Sequence, residues 1–275
     1  MNFDTKPASD YPIPDLVNYL NQGFENYLVP IQFNVSQFLT MLRRDGIDLT
    51  ASRVLLADEA PSGVALMARR GWASRLAAMG ISSALRGKGA GTWFMKQLID
   101  DACERGEREM VLEVIEHNGP AVALYKKLGF EIVRRLVGFI RKEAMEEEAL
   151  PLEEIDIRAV GSLVSYFGLP DLPWQLSGES LAQTNPPARA YKKGPAYAVI
   201  SNPNAGQLVI WSILVEPEAR GRNLGAQMLG NVIANHPGKA WHVPAIFPEE
   251  FTKLFERAGF EKEELSQWQM RLRFE

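Results

Sequence analysis

Two short stretches of this chain carry residues suited to holding an anion and moving a proton. The first is Arg86-Gly87-Lys88-Gly89-Ala90-Gly91, set between an apolar run, Trp72 to Ile81, and an amphipathic segment that starts at Gly89. A strand that enters a glycine-rich turn and leaves it as a helix points backbone N–H groups outward, and the helix dipole favours negative charge there. Gly87, Gly89 and Gly91 allow close backbone approach. Arg86 and Lys88 add positive charge, so the expected anion is a phosphate or pyrophosphate. The second stretch is Asn118-Gly119-Pro120-Ala121-Val122-Ala123-Leu124-Tyr125, followed by Lys126-Lys127-Leu128-Gly129-Phe130. It offers an amide, Asn118, and a phenol, Tyr125, just after an apolar run that contains one carboxylate, Glu113.

Two common phosphate signatures fail at single positions. A P-loop needs Ser or Thr after Gly-Lys, but Gly89 follows Gly87-Lys88. A dinucleotide fingerprint needs a third glycine where Thr92 stands. What remains is Arg-x-x-Gly-x-Gly, at Arg86, Gly89 and Gly91.

The elements that must position these residues can be read from periodicity and breakers. Helices are expected at Pro14–Gly23, after an Asn34 or Ser36 cap, at Gly89–Arg105 and at Pro120–Leu128, the last ended by Gly129. Between the first two lies an aromatic-rich loop with Phe24, Tyr27 and Phe33. Strands are expected at Arg53–Asp58, Gly63–Arg69, Trp72–Ile81, Met110–Ile115 and Phe130–Ile140, with a turn at Ala60-Pro61-Ser62-Gly63 between the first two.

A weaker copy of both stretches returns at Arg220-Gly221-Arg222-Asn223-Leu224-Gly225 and Leu254-Phe255-Glu256-Arg257-Ala258-Gly259-Phe260, with four fewer residues between them. Strands at Tyr197–Ile200, Leu208–Val215, Lys239–Ala245 and Glu261–Phe274 and helices at Gly225–Ala234 and Pro248–Ala258 repeat the earlier order. The pattern over 158–190 is weak. The chain thus reads as one domain type written twice. The join is the acidic stretch Glu143-Ala144-Met145-Glu146-Glu147-Glu148-Ala149-Leu150-Pro151, giving domains 1–145 and 146–275.

Composition narrows the classes. With 275 residues, 46% apolar, 23% charged and a net charge of -4, the chain reads as a globular protein. Its acidity argues against nucleic acid as a partner. No apolar run reaches the roughly 18 residues of a membrane span, and Met1 to Thr5 lack the flank of a signal peptide. The single Cys103, expected to pack on a helix, excludes an intramolecular disulfide. His117, His236 and His242 show no metal-ligand spacing, so no metal is expected. A cytoplasmic location fits.

Both stretches, in this order and at this spacing, resemble the signature of the GCN5-related N-acetyltransferase (GNAT) superfamily, well over residues 50–141 and more loosely over 195–274. Leu112-Glu113-Val114 before Asn118 is similar to the ribosomal-protein alanine acetyltransferase branch. The resemblance implies an α/β (α+β) fold of two tandem GNAT domains, each a mixed, mostly antiparallel sheet flanked by helices and splayed between its fourth and fifth strands.

It further implies acetyl transfer from acetyl-CoA to a primary amine, with Tyr125 as general acid and Glu113 as general base, Glu116, Asp48 and His117 being reserves. Met79, Gly80 and Ile81 would pair with the pantetheine arm. Arg86, Gly87, Lys88, Gly89, Ala90 and Gly91 would take the pyrophosphate, with Asn118 and Tyr125 completing the cofactor site. Phe24, Tyr27, Phe33 and Asp48 are candidates for the acceptor site. In the second copy Asn223 replaces the middle glycine, Phe255 the tyrosine and Pro248 the asparagine, so that copy is expected to be non-catalytic and structural. The protein is expected to be a monomer whose two domains pack together, with a dimer possible. A non-catalytic acyl-CoA-binding module, or a transferase for a longer acyl group, are the competing readings.

Overall fold

A computed structural model describes residues 1–25, 27–30, 32–142 and 149–274. The join expected at residues 145 and 146 lies outside the described residues. The first half runs β1 (Phe3–Pro7), α1 (Ile13–Gly23), α2 (Val35–Asp45), β2 (Arg53–Ala57), β3 (Ala60–Arg70), β4 (Ala73–Ile81), α3 (Ala90–Glu104), β5 (Glu109–Ile115), α4 (Gly119–Lys127) and β6 (Glu131–Arg141). The second runs β7 (Glu153–Ile155), α5 (Ile157–Phe167), α6 (Gly178–Ala182), β8 (Arg189–Lys193), β9 (Ala196–Ile200), β10 (Gln207–Val215), α7 (Leu224–Ala234), β11 (Ala240–Pro248), α8 (Thr252–Arg257) and β12 (Glu261–Arg273).

These elements form two units that do not follow chain order. Unit 1 is Met1–Val133 with Trp268–Glu275, and unit 2 is Arg134–Gln267. Unit 1 therefore takes its last strand from the end of the chain, the C-terminal part of β12, which lies beside β5. Unit 2 takes most of β6, which pairs antiparallel with β11.

Unit 1 orders its strands β1-β2-β3-β4-β5. The first three pairings are antiparallel, and β4 runs parallel to β5. Unit 2 repeats this with β7-β8-β9-β10, antiparallel throughout, and β11 parallel to β10. Each is a mixed, mostly antiparallel sheet with helices on both faces, as expected. Alternation along β2 and β3 shows why. Leu55, Ala65 and Met67 face α3 and α4, packing with Phe94, Met95 and Leu98. Val54, Leu56, Val64 and Leu66 face α1 and α2, packing with Leu16, Leu20 and Phe38. A strand covered on both faces reads as a continuous apolar run rather than an alternating one. Each buried Leu or Phe of this kind contributes about 1.5–3 kcal/mol. Met270 of β12 is buried in the same core as Phe94.

Most expected elements are present within a residue or two, and four features differ. The β2–β3 turn is Asp58-Glu59, both left-handed at φ 47° and 68°, with Ala57 paired to Ala60. Primed two-residue hairpins need positive φ at both positions, and two carboxylates gave less signal than the nearby Pro61 and Gly63. Pro248 ends β11 rather than opening a helix. The short strands β1, β7 and β8 were not expected, being too brief and polar for a clear period. Cys103 is exposed on α3 rather than packed. Of the two candidate caps for α2, Asn34 is used, its side chain accepting from Gln37 N at 2.9 Å in a reciprocal capping box.

Candidate active site

β4 and β5 pair from Ala73↔Glu109 to Leu76↔Leu112 and no further, although β4 runs on to Ile81 and β5 to Ile115. The expected splay is therefore present. It leaves the backbone of Ala77–Ile81 without a strand partner on that edge. Beyond Ile81 the chain turns through Gly87 (φ 74°) and Gly89 (φ 86°) into α3. Only glycine enters this region freely. Gly89 is the N-cap of α3 and no side chain caps the helix, so its first N–H groups are left to a ligand or solvent. A Cβ built at Gly87 or Gly89 would meet nothing within 4 Å.

These parts open on a cleft of about 630 Å³. Of the expected cofactor residues, Met79, Ile81, Arg86, Gly87, Gly89, Gly91 and Asn118 line it, as do Phe24 and Tyr27 from the acceptor set. None of its lining residues is a carboxylate. Gly80, Lys88, Ala90 and Tyr125 do not line it. Gly80 packs against Gly23, where an added Cβ would lie 2.3 Å from the Gly80 Cα. α1 can thus approach β4 only through these two glycines. Phe33 and Asp48 do not line this cleft. Phe33 joins the core under α1 and α2, its backbone N–H and C=O held by the Asn21 side chain at 2.8 and 2.9 Å. Asp48 is a turn residue that accepts from Thr50 and Arg69. Burial pushes its carboxyl up, but these hydrogen bonds prevail and hold it below the ordinary value.

Arg86 acts differently from the phosphate ligand the spacing implies. Its guanidinium turns back and donates to Ile81 O at 3.3 Å, Gly23 O at 2.8 Å and Glu25 O at 3.2 Å. It ties the end of β4 to the end of α1 and so fixes the turn that carries Gly87 and Gly89. Asn118 caps α4 through Ala121 N at 3.3 Å and donates to Tyr27 Oη at 3.3 Å. Tyr27 stacks edge-on with Phe24, 5.1 Å between centroids. Tyr125 sits behind the cleft wall, 7% exposed and edge-on to Phe130. Burial, with Tyr27 nearby, pushes its phenol well above the ordinary value of 10.0, so it stays protonated at any physiological pH.

Glu113 is the first β5 residue past the end of the ladder. Its side chain is 3% exposed and accepts from Arg75 Nε at 2.8 Å through Oε2; its Oε1 is buried without a hydrogen bond. Arg75 also reaches Asp45 Oδ2 at 3.5 Å. Sequence reasoning passed over Arg75 and Asp45. The available signal was an arginine at an inward position of a buried strand, which demands a carboxylate partner. It also passed over Leu28, Leu85, Thr92 and Leu124 of the lining, whose types carry no chemical signal.

Residues 23–130, under half of the chain, match the model of the acetyltransferase (GNAT) family. No curated protein sequence matches the chain. Among solved structures, it is similar to a GCN5-related N-acetyltransferase from Sphaerobacter thermophilus, with 16% identity, a TM-score of 0.68 and coverage of 98% of this chain and 95% of that one. A putative acetyltransferase from Pyrococcus horikoshii gives 14% identity and a TM-score of 0.67 over 100% and 89% of the two chains. A tandem GNAT protein from the clavulanic acid biosynthesis pathway gives 15% and 0.62 over 99% and 98%. At such identities these likenesses show the fold, which is that of tandem GNAT proteins.

Proposed function

We propose that unit 1 is the catalytic domain and transfers an acetyl group from acetyl-CoA to a primary amine by direct attack, in the cytoplasm, while unit 2 does no chemistry. The observation that carries this reading is the unpaired edge of β4 running into an uncapped helix N-terminus, in one cleft without a carboxylate. An extended arm can pair with the edge as an added strand, and a pyrophosphate can take the N–H groups at Gly89–Gly91. Bound acetyl-CoA supplies the thioester carbonyl that the amine attacks.

The chain's own residues then divide the proton work. An alkyl amine has a pKa of about 10.4 and an α-amine about 8, so a base speeds attack. Glu113 is fixed by Arg75 through one oxygen, and its other oxygen is unbonded; it takes the amine proton, directly or through a water. A backbone N–H at Gly80 or Ile81 steadies the carbonyl oxygen as the new C–N bond forms. As the C–S bond breaks, Tyr125 gives its proton to the leaving thiolate. A phenol held protonated by burial suits that task. Asn118 orients the arm and holds Tyr27 beside it.

The test is Tyr125→Phe, assayed by CoA-thiol release with a panel of amines. Turnover should fall roughly 10²–10⁴-fold with CoA affinity retained. An unchanged rate sinks the assignment of Tyr125.

A further inference from the structure

Unit 2 holds the counterpart of the active-site cleft, rebuilt with other side chains. β10 and β11 pair only from Gln207↔Ala240 to Val209↔His242 and then part. Arg220 repeats the Arg86 device, with Nε donating to Val215 O at 3.0 Å and Nη2 donating to Phe167 O at the end of α5. Asn223 is left-handed at φ 59° and begins α7, an 11-residue helix with no side-chain cap. The cleft measures about 360 Å³.

Its walls differ in a consistent direction. Phe251 stands where unit 1 has Ala121, and Phe247, Leu172, Leu176, Trp211 and Ile213 make the rest apolar. Ser212, itself buried, brings the one hydroxyl among the lining residues. Among the described residues no carboxylate lines the cleft, but two guanidiniums do, Arg220 and Arg257. Arg220 spends its donors on carbonyls. Arg257 makes no ion pair among the described residues. In a chain of net charge -4, an apolar cleft with one uncommitted cation and an uncapped helix N-terminus is matched to a particular chemistry. The Asn223 side chain crowds the turn where a pyrophosphate would need close backbone approach, and Phe251 narrows the course of a pantetheine arm.

We infer that this cleft binds an amphipathic monoanion, a medium-chain carboxylate in class. Its apolar body would lie on Trp211, Leu172, Phe247 and Phe251, and its head at the first turn of α7 beside Arg257. The inference does not depend on catalysis in unit 1.

Calorimetric titration of the full chain with dodecanoate, beside dodecylamine and CoA, reads it. Dodecanoate should saturate one site, and dodecylamine should bind at least about tenfold more weakly. Leu172→Glu, which lines this cleft with a charge, should cost roughly tenfold or more in dodecanoate affinity, and Arg257→Gln about threefold to tenfold. Leu28→Glu, in the cleft of unit 1, should leave it unchanged. No binding, equal binding of the amine, loss in Leu28→Glu instead of Leu172→Glu, or displacement of dodecanoate by CoA would each overturn the inference.

Discussion

The two clefts share a scaffold and differ in what the scaffold carries. In both, a parallel ladder stops early, an arginine ties the strand end to the end of the preceding helix, and a left-handed turn opens an uncapped helix. In unit 1 the ladder ends at a buried ion pair, Arg75 with Glu113. In unit 2 it ends at Val209 and His242, and β11 continues as Val243 and Pro244. There His242 Nε2 lies 3.2 Å from Glu263 Oε2, so the splay forms without a buried arginine–carboxylate pair. Replacing a buried pair by apolar residues is often neutral or stabilising, so the fold alone gives no reason to keep Arg75 and Glu113. The same contrast holds on the last helix, where Tyr125 is 7% exposed and Phe255 wholly buried. What unit 1 has beyond its twin is the proposed base, the proposed acid and an amide.

That comparison can be broken at several points. The largest expected effect is on turnover. Glu113→Gln should lower kcat roughly 10²–10⁴-fold, and the conservative Val243→Ala, at the matching buried position, should leave the kcat of folded protein within about twofold; comparable losses at both positions would erase the distinction between the units. Next is stability. Arg75→Met leaves Glu113 and Asp45 buried beside an apolar chain, and urea unfolding should show a loss of about 3–5 kcal/mol. A loss below about 1 kcal/mol would mean that solvent already reaches the pair.

Smaller effects follow at the turns. Gly89→Asn copies unit 2; its Cβ meets no protein atom, but Gly89 stands at φ 86°, so stability should fall by on the order of 1 kcal/mol while CoA affinity falls about tenfold or more. Arg86→Ala removes three hydrogen bonds, two exposed and one half-buried, and should cost on the order of 1 kcal/mol, read as a lower melting temperature.

The smallest effect is in acid. Burial raises the Glu107 carboxyl, but hydrogen bonds from Arg105, Arg69 and Ser74 outweigh it and hold it below its ordinary 4.5. A depressed folded pKa contributes stability above 4.5 that is lost as pH falls through the folded value. Glu107→Gln should therefore flatten the acid limb of stability between pH 5 and 3, and a limb as steep as the parent's would reassign it to other carboxylates.

The sequence disclosed the turn and the helix pair because these depend on local features, whereas the splay came only from the family resemblance. Glycines at positive φ, a short helix closed by Gly129 and a break in apolar runs are visible without tertiary knowledge. The role of Arg86 was not, since its partners Gly23 O and Glu25 O lie some sixty positions earlier, and a side chain's direction is not encoded in spacing. The local partners of Phe33 and Asp48, Asn21 and Thr50 respectively, were not visible in the sequence either. Arg75 was hidden by the opposite fault: it stood in an apolar run that was searched only for acids.

The exchange of β6 and β12 bears on how such a protein is made and how it could be divided. Leu136 and Phe139 are synthesised with the first half yet belong to the second unit, while Met270 completes the core of the first. A polypeptide emerging from the ribosome cannot finish unit 1 until nearly all of unit 2 has been translated, so the two must mature together rather than in turn. A gene cut at the acidic join would yield two halves, each carrying a strand it cannot use and missing one it needs. Unit 2 is thereby protected from loss, because deleting it deletes part of unit 1.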